Sequence, residues 1–553
     1  MKTPVRSLLV LTLLLGPALP AGAAPDTGDA LKPLPAGEWS HATAAHLLRR
    51  AGFGGSPQDV ERVYALGLDG AVQGLLAFQG KPDTGMAYLN LTVHGRQPRG
   101  AYLGLSRDER RQKAQEWRRQ DRMQFLAVRE WWMRTMIGTA HPLRERMTLF
   151  WHGHFTSGYR DVRNSYHMYV QNALFRRYAT GSFRELLTAV SKDPAMLEYL
   201  DNNRNRRGRP NENFARELME LFTMGVGNYT EKDIKEAARA LTGWTFRQNE
   251  FVFAERLHDP GRKTFLGRTG YFTGDDVLRI ILEQPATARY LARKTFRYFA
   301  HEQPDEAVVE ALARVLRESD YELEPMLRAL FRSQAFYSKR SMGTRIKGPV
   351  ELVVGLYRTL ELEPPAQPMM AILAQQLGQS LMDPPNVKGW DGGRDWITTS
   401  HLLNRYNFAS AIVGQPRDKL RSVGRRFGGR MPQIEGGDGM QGEAGGMEGM
   451  DEMPPAERQQ RGRALRRARY EQLAKESYDP LHEVRSRHLG DAEQIVDYFT
   501  ARLLAAPAPQ ELRQALLQSL NRDRPFDPEA RDARSRLHGM LRLLVSTPEF
   551  QLM

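Results

Sequence analysis

Not one of the 553 residues is cysteine. That absence removes disulfides, a thiolate nucleophile, thiolate-held zinc or iron–sulfur clusters and a lipid-bearing amino-terminal cysteine, so stability has to come from packing. Long apolar runs are equally scarce. The run Leu8 to Leu15 falls short of the ~20 residues that span a bilayer, and nothing later approaches that length. Also missing are HExxH, GxSxG, GxxxxGK[ST] and a GxGxxG following a strand, which argues against zincin, serine-hydrolase, phosphate-loop and dinucleotide chemistry. β-rich segments are few. Only Glu250 to Leu257 and Lys263 to Leu266, around His258-Asp259-Pro260-Gly261, read as a strand pair.

The short apolar run is informative for where it stands. Lys2 and Arg6 precede it and Ala21-Gly22-Ala23 follows, the three parts of a secretory signal, so residues 1–23 are expected to be removed and the protein exported to the periplasm or beyond. The net charge of +14 favours contact with an anionic surface or polymer. Its densest runs, Arg107 to Arg122, Arg204 to Arg209 and Arg458 to Arg469, nearly lack aromatics for base stacking, and glutamate or glutamine interrupts the two long ones. They read as solvated helix faces, and nucleic acid is an unlikely partner.

Helical periodicity dominates the rest. Ser56-Pro57 with Asp59 is a helix start, Asp69 can cap the next short helix, and Phe125, Val128, Trp132 and Met136 make one stripe of a helix that His141-Pro142 interrupts. The expected fold class is mostly α, a large multi-helix body with one small β-hairpin and a flexible acidic insert. The expected domains are a signal peptide at 1–23, a main helical domain at 24–427, a Gly-, Met- and acid-rich linker at 428–457 and a carboxy-terminal helical unit at 458–553. The linker has too few large apolar residues for a core; its methionines are soft Cu(I) donors, but its composition is that of a spacer. MLRALFRSQAFY from Met326 and MLRLLVSTPEFQ from Met540 align without gaps, an internal echo of a three-helix unit.

The chain is organised around Pro210 to Trp244, PNENFARELMELFTMGVGNYTEKDIKEAARALTGW, which reads as two helices at a corner. Pro210 and Asn211 open the first, and Phe214, Leu218, Leu221 and Phe222 form its stripe. Gly225 and Gly227 let the backbone leave near Met224. Thr230 with Asp233 starts the second. Glu212, Arg216 and Glu220 are spaced to pair along a solvated face, which leaves Glu217 at the edge of the stripe as the carboxylate to explain.

These residues carry a resemblance. NENFARELMELFTMG from Asn211, YTEKDIKEAARALTGW from Tyr229, WHGHFTSG from Trp151, DPPNVKGW from Asp383 and HATAAHLLRRAGFG from His41 resemble, in order and as far as about Ser410, the bacterial domain-of-unknown-function 1800 family. The resemblance implies an exported protein without an established reaction. It also implies a neighbour-encoded partner of the domain-of-unknown-function 1501 family, itself similar to sulfatases and alkaline phosphatases.

Two clusters could do chemistry. In Trp151-His152-Gly153-His154-Phe155, two histidines two residues apart share a side only if the segment is extended, which Gly153 allows; on a helix they diverge by ~200°. Extended, His152 and His154 would be metal ligands, with Glu212 or Glu217 as ligand or general base and His258 and Asp259 as further ligands of a divalent transition metal. Otherwise these groups merely bond helices together. Trp390 and Trp396 either line a sugar- or peptide-binding surface or plug their loop onto the body. The reading placed first is an exported envelope or secretion-associated binding or scaffold protein; the alternative is a metal-dependent exported enzyme, hydrolytic or oxidative.

Overall fold

The computed structural model describes residues 30–81, 87, 89–97, 99–366, 368–414 and 478–553. The expected signal peptide and the acidic insert lie outside the described residues. Within them the protein is a body of helices with two small two-stranded antiparallel sheets.

Local chemistry places most helix starts. Ser40 with Thr43, Ser56 with Asp59, Ser106 with Glu109 and Thr230 with Asp233 each form a capping box, satisfying amides that the first turn leaves free. The Arg107–Gly138 helix begins well before the apolar stripe that announces it. No residue ahead of Asp121 is buried, so the Ser106 cap rather than packing sets its start.

The strands differ from expectation. Trp244–Arg247 pairs with Glu250–Phe253, and Lys263–Phe265 pairs with Arg268–Gly270. The two β-rich runs belong to separate tight hairpins rather than to each other, because Gln248 and Leu266, the latter followed by Gly267, adopt positive φ and fold each strand back on its own neighbour.

Apolar residues gather in two clusters. One joins the amino-terminal helices to residues 143–244 and 277–337; the other joins residues 125–137, 350–382 and 408–413 to the carboxy-terminal helices Pro480–Ser486, Ala492–Leu503, Gln510–Asn521 and Ala533–Val545. Phe499, Leu537 and Phe550 thus share a core with Trp132, Val353 and Phe408. The echo has a structural counterpart in each cluster. Ser333 bonds the Leu330 carbonyl and receives the Phe336 amide, and Thr547 does the same with Leu544 and Phe550. Both phenylalanines are buried, and both stretches follow two packed helices.

The Pro142–His154 helix runs along the seam between clusters. Leu143, Met147, Phe150 and Trp151 enter the first and Leu149 the second. Its carboxy-terminal end is where the sequence blocks singled out above meet.

Candidate functional site

Trp151 to His154 are helical, not extended, and the helix ends only at Phe155. The reason is the seam: a helix can present successive residues to two cores, and a strand here would strip Trp151 and Phe155 from theirs. His152 and His154 therefore point to opposite sides. The His152 Nε2 accepts the Met382 amide at 2.9 Å, between the rings of Trp132 and Trp390. The His154 Nε2 donates to the Phe222 carbonyl at 2.9 Å, among Phe150, Trp151, Phe155 and Phe183. Burial drives the His152 imidazole down to about 3, and burial followed by the nearby Lys294 ammonium holds His154 well below its usual range. Both are neutral tethers between elements, and the structure does not bring them to one point.

His258 and Asp259 stand elsewhere. The His258 Nδ1 donates to the Thr242 carbonyl at 3.0 Å, and its ring meets Phe253 edge-on. Arg239 grips Asp259 with Nε at 2.8 Å, which, with the Gly261 amide, holds the carboxyl at about 2. This pair fastens the turn between the hairpins to the Glu231–Ala240 helix. Among the described residues, no group of three or more histidine, aspartate or glutamate side chains is placed to hold a metal ion.

The Asn211 stretch departs from a plain α-helix. Asn213–Glu217 is α-helical, and Leu218–Thr223 is a π-helix. A π turn displaces carbonyls from their usual partners, and side chains collect them here. Thr223 bonds the Leu218 carbonyl at 2.5 Å, the Tyr290 hydroxyl bonds that of Leu221 at 2.8 Å with Lys294 at 3.4 Å, and His154 takes that of Phe222. Gly225 exits at φ 77°, and a Cβ there would lie 2.9 Å from the Tyr290 ring.

Charges on this stretch do not pair as their spacing suggests. Arg216 forms a bidentate bridge to Glu231 at 2.8 and 2.9 Å and reaches Glu212 only at 3.5 Å. Glu220 accepts the Tyr229 hydroxyl at 3.1 Å. Glu217 has no hydrogen bond or ion pair with any described residue, and it is half-buried. Burial and then the Glu220 carboxylate push its carboxyl up, against the pull of Arg216 and Lys388.

Lys388 comes from the Asp383–Trp390 loop, which is pinned against the Pro142–His154 helix and the turn after it. Besides the His152 bond, the Tyr159 amide reaches the Met382 carbonyl at 2.9 Å, so both backbone groups of Met382, at φ 59°, are tied. Thr156 bonds the Val387 carbonyl, Arg160 bonds Asp383 at 3.0 Å, and a Cβ on Gly389 would meet the Gly153 carbonyl oxygen at 2.8 Å. Beneath the turn the Ser157 hydroxyl meets Gln171, whose amide donates to Asp193 at 2.8 Å; burial lifts the Asp193 carboxyl to about 7. Tyr199 is an electrostatic neighbour of Asp161, Asp383 and Glu217. Burial, then Asp161 and more weakly Asp383 and Glu217, raise its hydroxyl to about 12, so it stays a neutral donor. Trp396 is buried and plugs the loop onto the body, while Trp390 covers His152.

Of the six residues proposed from sequence, Glu217 alone has a side chain with no hydrogen bond or ion pair to any described residue, although the buried His154 Nδ1 is also left without a hydrogen bond among them. The electrostatic neighbours of Glu217, namely Glu220, Tyr229, Lys388 and Tyr199, bring hydrogen-bond acceptors and donors close to it. Lys388 and Tyr229 lie inside the family-like blocks and were visible there; Tyr199 and Lys294 have no sequence signal, because only the packing brings them in. No curated protein and no solved structure matches the chain. A family model described as "Protein of unknown function (DUF1800)" matches residues 46–552, nearly the whole length and well past the carboxy-terminal insert, and the protein belongs to that family.

Proposed function

We propose that the protein is an exported, non-catalytic binding protein of the cell envelope or secretion route, and that the surface around Glu217 is its binding site. One observation carries this reading: segments 151–158, 211–229 and 383–390, distant in sequence, are bonded to one another, and beside them the Glu217 carboxylate is left without a partner among the described residues. A half-buried carboxylate flanked by a second carboxylate and two phenols suits a ligand that presents an ammonium, guanidinium or hydroxyl donor. The partner implied by the family resemblance is the neighbour-encoded 1501-family protein, with the basic exterior as a further contact to anionic surfaces.

Titration calorimetry with that neighbour protein tests the reading. Glu217→Gln is expected to weaken binding by about tenfold, the loss of one hydrogen bond to a charged group. Unchanged affinity in Glu217→Gln and Lys388→Ala together overturns it. Stoichiometric metal in tag-free protein, lost in Glu217→Gln, would replace it with the enzymatic reading.

A further inference from the structure

A second group of charges, around Glu351, is out of balance. Arg50, Arg146 and Arg345 surround the buried carboxylate of Glu351, and Lys347 stands beside Arg49, Arg405 and the same carboxylate. Glu351 is fully used: it receives Arg146, Arg345 at 2.8 Å and the Gly348 amide at 2.5 Å. The other cations lean on neutral oxygens. Arg50 bonds the carbonyls of Phe299 and Ala300, and Arg405 those of Trp396 and Lys347. Carbonyl dipoles satisfy hydrogen bonds without cancelling charge, and a buried charge left uncancelled is costly. Even with a carboxylate at Met553 counted against Arg50, cations outnumber anions.

Two of these cations line a cavity. Arg49 and Lys347, with Arg502, Phe53, Leu503 and the carboxylate of Glu351 that Arg146 and Arg345 already hold, line a space of ≈ 40 Å³, against roughly 10–15 Å³ needed for one water. Arg502 is already bridged to Glu483 at 3.0 Å and Glu361 at 3.3 Å. Arg49 and Lys347 have no carboxylate in ion-pair contact among the described residues. Arg49 spends one nitrogen on the carbonyls of Ala501 and Arg502, and Lys347 spends one proton on that of Phe550 at 2.6 Å, so each keeps further donors.

We propose that this cavity binds one small tetrahedral oxyanion of the sulfate or phosphate class, held between Arg49 and Lys347. The anion supplies the missing negative charge at the point where the cations have donors to spare. It also bridges the His41–Ala51 helix, the Lys347 segment and the carboxy-terminal helices, tying the ends of the chain together. The depressed Lys347 ammonium, brought to about 7 by burial and then by Arg49 and Arg405, fits a site waiting for a counter-ion.

Equilibrium dialysis of the full chain against radiolabelled sulfate at constant ionic strength tests this. One saturable site per chain is expected near pH 6, and Lys347→Met and Arg49→Met are each expected to weaken it by about tenfold or more. The surface change Arg111→Gln should not alter it. Should the variants fail to fold by circular dichroism, the wild type decides alone. Affinity must fall between about pH 6 and pH 9 as Lys347 loses its proton, since sulfate and the groups facing Lys347, namely Arg49, Arg405 and Glu351, hold their charge throughout. No saturable binding, wild-type affinity in both folded variants, or affinity independent of pH overturns the proposal.

Discussion

The His152 imidazole accepts the Met382 amide and sits between two tryptophans, so protonating it would cost both the bond and a buried charge. Its folded value of about 3 lies below the ~6.5 of an unfolded histidine. In that window the unfolded chain binds more protons, so stability is full above about pH 6.5 and is lost as pH falls toward 3. His154 acts in the same direction. Thermal melts from pH 7 to 4 should show Tm falling, and His152→Gln, whose amide oxygen can accept the same amide, should flatten the slope. An unchanged slope would mean that His152 is not buried as described.

Glu217 carries the opposite sign. Its carboxyl is raised above the unfolded value, first by burial and then by Glu220, so the charged form burdens the fold at neutral pH and not in acid. Glu217→Gln is expected to leave Tm unchanged or higher at pH 7, with no gain at low pH, while binding at this surface weakens. A side chain kept for packing would show the reverse, a lower Tm. A Tm held or raised in Glu217→Gln would mark Glu217 as a group retained at some cost to stability.

At the scale of elements, the π turn from Leu218 to Thr223, which carries Glu220 and directly follows Glu217, shapes the surroundings of that carboxylate. It forms because the carbonyls it frees find Thr223, Tyr290, Lys294 and His154, three of them on other helices. Gly225→Ala is expected to destabilise by at least ~1–2 kcal/mol from the left-handed backbone alone, with a further cost as Tyr290 is pushed from the Leu221 carbonyl. Denaturant melts measure it, and a change under about 0.5 kcal/mol would mean that Gly225 is not held in the left-handed backbone described. The apolar stripe of this stretch was legible in its sequence. The π geometry was not, because no residue of Leu218–Thr223 demands it and the partners that reward it lie 68 or more residues away in three of the four bonds.

The whole molecule is held by two apolar clusters and, between its ends, by the Glu351 hub. Burial alone would raise the Glu351 carboxyl, but Arg146, Arg345 and the Gly348 amide outweigh it and hold it at about 2. Glu351→Gln leaves those guanidiniums without a counter-charge, and a loss of about 3–5 kcal/mol is expected, read as a lower denaturation midpoint. A loss below 1 kcal/mol would place the compensation elsewhere. The carboxy-terminal helices belong to the same account. Phe499, Leu537 and Phe550 complete the cluster that Trp132 and Phe408 begin, so a chain ending at Gly414 is expected to lose cooperative melting.

The order of elements followed from the sequence because capping boxes, prolines and three- and four-residue stripes act within a few residues of themselves. Mostly helical class was legible for the same reason, and family membership from the matching sequence blocks. Which ionisable groups are free was settled only by tertiary structure. Neither the pairing of Arg216 with Glu231 instead of Glu220, nor the capture of His152 by a backbone amide 230 residues away, leaves a local trace. Such bonds form only when the two cores close along the Pro142–His154 helix, and what they leave over is the Glu217 carboxylate.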